Sequence, residues 1–160
     1  MHGFFVQEVT LGYRILWPLT LLAIGGTAAC LLALAGWMLS GPNHLRRWLV
    51  FSLGTFLAYA VVVVAVTNRF WVAIAYYGPA MMALLIASMR AYCHTRLRAH
   101  LWLSIGIVIS ALAAFLQQKG VALHPTYFNH NSTYHLAQAI ALWIMFRAAR
   151  ELLDCERLSS

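Results

Sequence analysis

Charge is what this sequence has least of. Only 9% of its 160 residues are Asp, Glu, Lys or Arg, where soluble domains carry about 25%, and 62% are hydrophobic. Such a chain cannot solvate its own surface, which excludes an ordinary soluble domain. At this length there is room for one compact membrane domain and no sizeable soluble one. Cysteine is sparse as well. Cys30, Cys93 and Cys155 form no CxxC pair, so no disulfide framework is implied and free thiols are expected. Strand-like alternation is missing, which excludes a membrane β-barrel. Charged residues are missing from the apolar runs, and with them the usual mark of an ion path. No HExxH or other complete metal motif occurs. The formal charge of +7 comes from basic residues spread between apolar runs rather than gathered in a patch. It points to membrane topology and not to nucleic acid.

What the chain does have is apolar runs of the length that crosses a bilayer. Five spans are predicted, about residues 15–39, 48–66, 70–89, 101–116 and 134–146. The fold class is therefore all-α, a polytopic membrane bundle in a single domain covering residues 1–160. The first run is too long for a cleaved signal segment. Its Gly25, Gly26, Ala28 and Ala29 offer small residues for close helix packing. "SGPNHLRR" turns the chain into the second span, "TNR" links the second to the third, and Gly78-Pro79 predicts a kink in the third. The fifth continues past Phe146 as a wet helix through "RAARELLDCERL", where Arg147 and Arg150 stand near Glu151 and Asp154 as helix-surface pairs. Trp17, Trp37, Trp48, Trp71 and Trp102 fall near span ends, where indole rings meet headgroups. Trp143 lies deep in the fifth.

Lys and Arg sort unevenly between the two sides. One side collects Arg14, Arg69 and Lys119; the other collects Arg46, Arg47, Arg90, Arg96, Arg98, Arg147, Arg150 and Arg157. The positive-inside rule puts the larger set in the cytoplasm, with the N-terminus out and the C-terminus in. The protein is then a multi-pass cell-membrane protein with lipid around it. This topology brings His2, His124, His130 and His135 to the outer side, together with Glu8, Asn68, Gln117, Gln118, Asn131 and Gln138.

The stretch "FNHNSTYHLAQ", residues 128–138, concentrates this polarity at the mouth of the fifth span. Asn131, His135 and Gln138 recur at i, i+4 and i+7, one stripe of a helix. Polar residues one turn inside a membrane helix are costly unless they face protein or water, so His135 and Gln138 are expected to face inward. Two readings fit. In one, these side chains hydrogen-bond neighbouring helices and do nothing more. In the other, His135 is a zinc ligand with His130 and His2 as partners. Neutral imidazoles with one open position suit a hydrolytic zinc, which lowers the pKa of its bound water and supplies hydroxide.

"FNHNSTYHLAQAIALWIMFRAAR" and the "HG" of His2-Gly3 resemble an uncharacterised group of bacterial multi-pass proteins. That group is similar to the CREST superfamily of seven-helix membrane proteins, which includes alkaline ceramidases and progestin and adiponectin receptors. The resemblance implies a zinc-dependent, membrane-embedded hydrolase of lipid amide or ester bonds in a bacterial inner membrane. It would place His2 in the role of the superfamily's first zinc histidine and His135 in one of the other two, with His130 or Asn131 in the last. The five spans would match the superfamily's third to seventh helices, so the expected start lies upstream of Met1 and adds two helices. Glu8 is the one carboxylate on the outer face for a general base. Asn131, Gln138, Gln117 and Asn68 would line the substrate or support the ligands. The alternative is a non-catalytic membrane scaffold or receptor-like bundle whose outer polar cluster is structural.

Overall fold

The computed structural model describes residues 11–120 and 130–159, with side chains over residues 12–120 and 132–155. Of the described residues 94% are helical, and none is in a strand. Among the described residues five helices follow one another: α1 (Leu11–Ser40), α2 (Leu45–Val61), α3 (Phe70–Thr95), α4 (Arg98–Gln118) and α5 (His130–Ser159). A short 3-10 turn, Pro42–His44, precedes α2, and a π turn, Val62–Val66, closes it. The helices outrun the predicted spans at most ends, because helical hydrogen bonding continues beyond the residues that match the hydrocarbon. Gly78 and Pro79 sit inside α3, which continues through them.

Among the described residues, four segments are long and apolar enough to cross a membrane: Gly12–Ser40, Pro42–Val66, Phe70–Thr95 and Arg98–Gln118. The protein is thus a membrane protein by the length and composition of its helices. The fifth predicted span is a helix but does not join this set. Its apolar part, residues 134–146, covers about 20 Å at 1.5 Å per residue, against roughly 30 Å of hydrocarbon.

The chain divides into two compact units, Met1–Ala87 and Ser88–Ser160, with α3 running across the boundary. In the first unit α1 and α2 form an antiparallel hairpin. Gly41 makes the turn with φ 80, a conformation that costs glycine nothing, and its N–H is donated to the Trp37 carbonyl at 2.8 Å. Two aromatic-on-glycine contacts set the register. A methyl group at Gly25 would overlap the Tyr59 ring, and one at Gly36 would overlap the Trp48 ring. The two glycines and the two aromatics are the same number of residues apart, about three helical turns, so the hairpin closes without slippage. Without a hydrophobic drive between helices in lipid, such close backbone approach is what dispersion packing requires.

The core of this unit is Leu21, Tyr59, Val63, Val72 and Ala73, with Trp17, Leu22, Ile24, Phe56, Val62 and Tyr76 packed against it. Tyr59, Tyr76 and Trp17 each have a polar partner. Tyr59 donates its hydroxyl to the Leu21 carbonyl at 2.8 Å and stacks on Tyr76, ring centroids 4.8 Å apart. The Tyr76 and Thr55 hydroxyls share a 3.0 Å bond. At the far end from the turn, Trp17 donates its indole N–H to the Asn68 carbonyl at 2.7 Å, tying the start of α1 to the α2–α3 link.

In the second unit α4 and α5 make the most extensive helix contact. On α4 the buried positions include Ala99, Leu103, Gly106, Ser110 and Ala113, spaced four and three. On α5 the matching line is Tyr134, Gln138, Ala141, Met145 and Ala148, of which Ala141 and Ala148 are fully buried. Spacing of this kind averages 3.5 residues, the period that keeps one seam against a partner helix. Gly106 is the closest approach: a Cβ there would lie 2.5 Å from Met145 Cγ and 3.0 Å from the Ala141 carbonyl oxygen. Ser110 meets Gln138 further along, so the two helices run antiparallel. Ser88 and Ser104, both buried, join the end of α3 to α4 through a 2.8 Å hydroxyl bond.

Within each unit, charge sorts by end. Arg14 and Arg69 share one end of the first unit, and Arg46 and Arg47 the other. In the second, Arg90, Arg96, Arg98, Arg147 and Arg150 share the end opposite Lys119.

Candidate functional site

The polar mouth of α5 is built on the antiparallel α4–α5 pair. Gln138 is half-buried in the seam, and its Oε1 accepts the Ser110 hydroxyl at 2.9 Å. His135 behaves differently from the inward position expected for it: it is exposed, with its ring 5.2 Å from that of Tyr134 and tilted 58°. The physical reason is angular. Tyr134 and Gln138 lie on the seam, and His135 is about 100° around the helix from Tyr134. A glycine-lined seam lets the backbones come so close that only a narrow line of side chains is covered. The i, i+4, i+7 stripe is therefore split, Gln138 facing α4 and His135 facing out.

His2 and Glu8, the first proposed ligand and the proposed base, lie outside the described residues. His130 and Asn131 open α5, but their side chains also lie outside the described residues. Of the three proposed zinc ligands only His135 has a described side chain, and it lies beside the Tyr134 ring. Among the described residues, no group of three His, Cys, Asp or Glu side chains could hold a metal ion. Gln117 is half-buried near the end of α4 and is engaged with a neighbour; its carbonyl accepts the Gly120 N–H at 3.0 Å. Asn68 belongs to the first unit and serves through its backbone carbonyl, which holds Trp17. Trp143, read as lying deep in a span, is 61% exposed and carries the Arg147 guanidinium over its ring at 5.6 Å, a contact not foreseen for Arg147.

Sequence reasoning passed over the buried hydroxyls. Ser88, Ser104 and Ser110 make hydroxyl bonds between helices in the second unit, and Tyr59, Tyr76 and Thr55 do so in the first. A signal was present for the serines. Ser110 falls on the four-and-three line of Ala99, Leu103, Gly106 and Ala113, and polar residues on such a line face another helix. The chemistry available here is hydrogen bonding between helices: hydroxyl to amide, hydroxyl to hydroxyl, and hydroxyl to backbone carbonyl.

Against known proteins, residues 1–154 match a family described as of unknown function, DUF6962. The chain belongs to that family. No curated protein and no solved structure matches it. The DUF6962 match takes in both units and α5 as far as Asp154, so the polar mouth lies within the stretch that defines the family and is not an appendage to it.

Proposed function

We propose that the protein is an integral membrane scaffold, a helix bundle whose polar groups at the α5 mouth join helices rather than perform chemistry. It sits in a cell membrane with the N-terminus outside and the C-terminus in the cytoplasm, and lipid is its constant partner. The observation that carries this reading is the Ser110 hydroxyl donating to Gln138 Oε1. A glutamine amide in a low-dielectric setting is costly unless paired, and here its acceptor is used between helices. The same device recurs where Tyr59 bonds the Leu21 carbonyl and Ser88 bonds Ser104. The orientation is supported by three basic residues against eight and by their sorting to opposite ends within each unit.

Two measurements on purified protein test the reading. Replacing Gln138 with Leu removes one interhelical bond, worth about 0.6–1.7 kcal/mol in a membrane protein, and is expected to lower stability in detergent by that amount. Metal analysis is expected to find zinc well below one atom per chain. The competing reading is the zinc-dependent lipid hydrolase, with His2, His130 and His135 as ligands and Glu8 as base. Roughly one zinc per chain, lost in His135→Ala while Gln138→Leu keeps full stability, would replace the scaffold with that hydrolase.

A further inference from the structure

The turn between α1 and α2 gathers positive charge with nothing acidic nearby in the chain. Its sequence is "SGPNHLRRW", and the four carboxylates are Glu8, Glu151, Asp154 and Glu156, none of them within the hairpin. Helix α2 starts here with no acidic residue in its first turn and no side-chain cap, so the positive end of its dipole adds to the arginines. Exposed Arg46 and Arg47 follow at once.

Beside this charge lies an open groove lined by His44, Arg47, Trp48 and Phe51. Its walls are fixed in advance. The Trp48 indole N–H is donated to Ser40 Oγ at 3.2 Å, the ring lies on Gly36, and Phe51 meets it edge-on at 5.7 Å. His44 donates its Nδ1–H to the Ser40 carbonyl at 3.0 Å, which fixes the ring at the rim. One helical turn beyond Arg47, the surface becomes wholly apolar: Val50 is 65% and Phe51 54% exposed. Cationic groups at the rim and an aromatic floor running into the hydrocarbon match a molecule with a phosphate at one end and an acyl chain at the other.

We infer that the His44–Arg47–Trp48–Phe51 groove is a binding site for one anionic phospholipid. The headgroup phosphate rests on Arg47 and the start of α2, beside the fixed His44 ring, and an acyl chain runs along Phe51. Basic pockets at helix ends hold acidic headgroups in this way, each Lys or Arg contributing through the surface field. Free inorganic phosphate shares the rim chemistry but leaves the aromatic floor unused.

Native mass spectrometry of the full chain, released from bilayer discs of equal phosphatidylglycerol and phosphatidylcholine, tests the assignment. Wild type is expected to retain one phosphatidylglycerol in preference to phosphatidylcholine. Arg47→Gln is expected to weaken that retention about fivefold, Arg47→Lys to keep most of it, and 10 mM inorganic phosphate to displace none. Melting temperatures of the variants, taken in parallel, separate loss of a ligand from loss of fold; Arg47 is exposed, so both variants are expected to melt with wild type. Equal retention of the two lipids, unchanged retention in Arg47→Gln, or full displacement by phosphate would each overturn the site.

Discussion

Replacing Gly25 with alanine tests how the first unit is held together. A methyl group at this position would lie 2.5 Å from Tyr59 Cδ1, closer still to Cε1, and 3.1 Å from Cζ, well inside van der Waals contact. The ring has no room to yield. Its hydroxyl is bonded to the Leu21 carbonyl, its face is stacked on Tyr76, and Tyr59 as a whole is 5% exposed. Either α1 and α2 move apart or the ring leaves its bond and its stack. Overpacking costs about 1–3 kcal/mol, and the lost hydroxyl bond about 0.6–1.7 kcal/mol. Against this, alanine improves on glycine inside a helix by about 1 kcal/mol. The net expectation is a loss of about 1–3 kcal/mol, read as a shift in the unfolding midpoint in mixed detergent micelles. The controls come from the same protein. At Gly26 the nearest atom to an added methyl is Phe56 at 4.0 Å, and at Gly54 nothing lies within 4 Å. Gly26→Ala and Gly54→Ala are expected to be neutral or up to about 1 kcal/mol stabilising. Pairing Gly25→Ala with Tyr59→Leu should recover part of the loss, because contacting residues do not add. If Gly25→Ala proves as harmless as Gly26→Ala, the glycine–aromatic register is wrong.

Other outcomes follow from the same contacts. Tyr59→Phe keeps the stack and loses only the bond to Leu21, so its cost should stay within about 0.6–1.7 kcal/mol in the same unfolding assay. Gly106→Val pushes into both Met145 and the Ala141 backbone; because backbone cannot rotate away, it should destabilise the α4–α5 pair by about 3 kcal/mol or fail to express, whereas Gly106→Ala should cost less. His135→Ala removes an exposed side chain and should move the melting midpoint by no more than about 0.5 kcal/mol in equivalent free energy. A larger drop would show that His135 is buried by something, whether partner or metal.

Much of the fold was legible because a bilayer reduces the choices. Long uncharged runs must be helices once every backbone group has to be satisfied internally, and the "SGPNHLRR" and "TNR" breaks separate them without ambiguity. The small residues at Gly25 and Ala28 correctly marked a packing surface. The fifth run was harder to read. Residues 134–146 are apolar by composition, yet too short for the hydrocarbon, and a list of residues does not show where a helix stops being lipid-facing.

The sequence by itself determined the class of this protein: helical, membrane-borne, basic at alternate turns, with a polar stretch leading into its fifth helix. Those properties follow from hydropathy, length and charge, each of which is a sum along the chain. Only the tertiary structure decided which of those polar residues have partners. It took Gln138 into the α4 seam and left His135 outside, it put Tyr59 on Gly25 and Trp48 on Gly36, and it made buried serines the links of the second unit. A helical period fixes a side chain's bearing relative to its neighbours on the same helix. How deeply it is covered depends on how near the next backbone comes, and at Gly25, Gly36 and Gly106 that distance was set by residues far away in the chain.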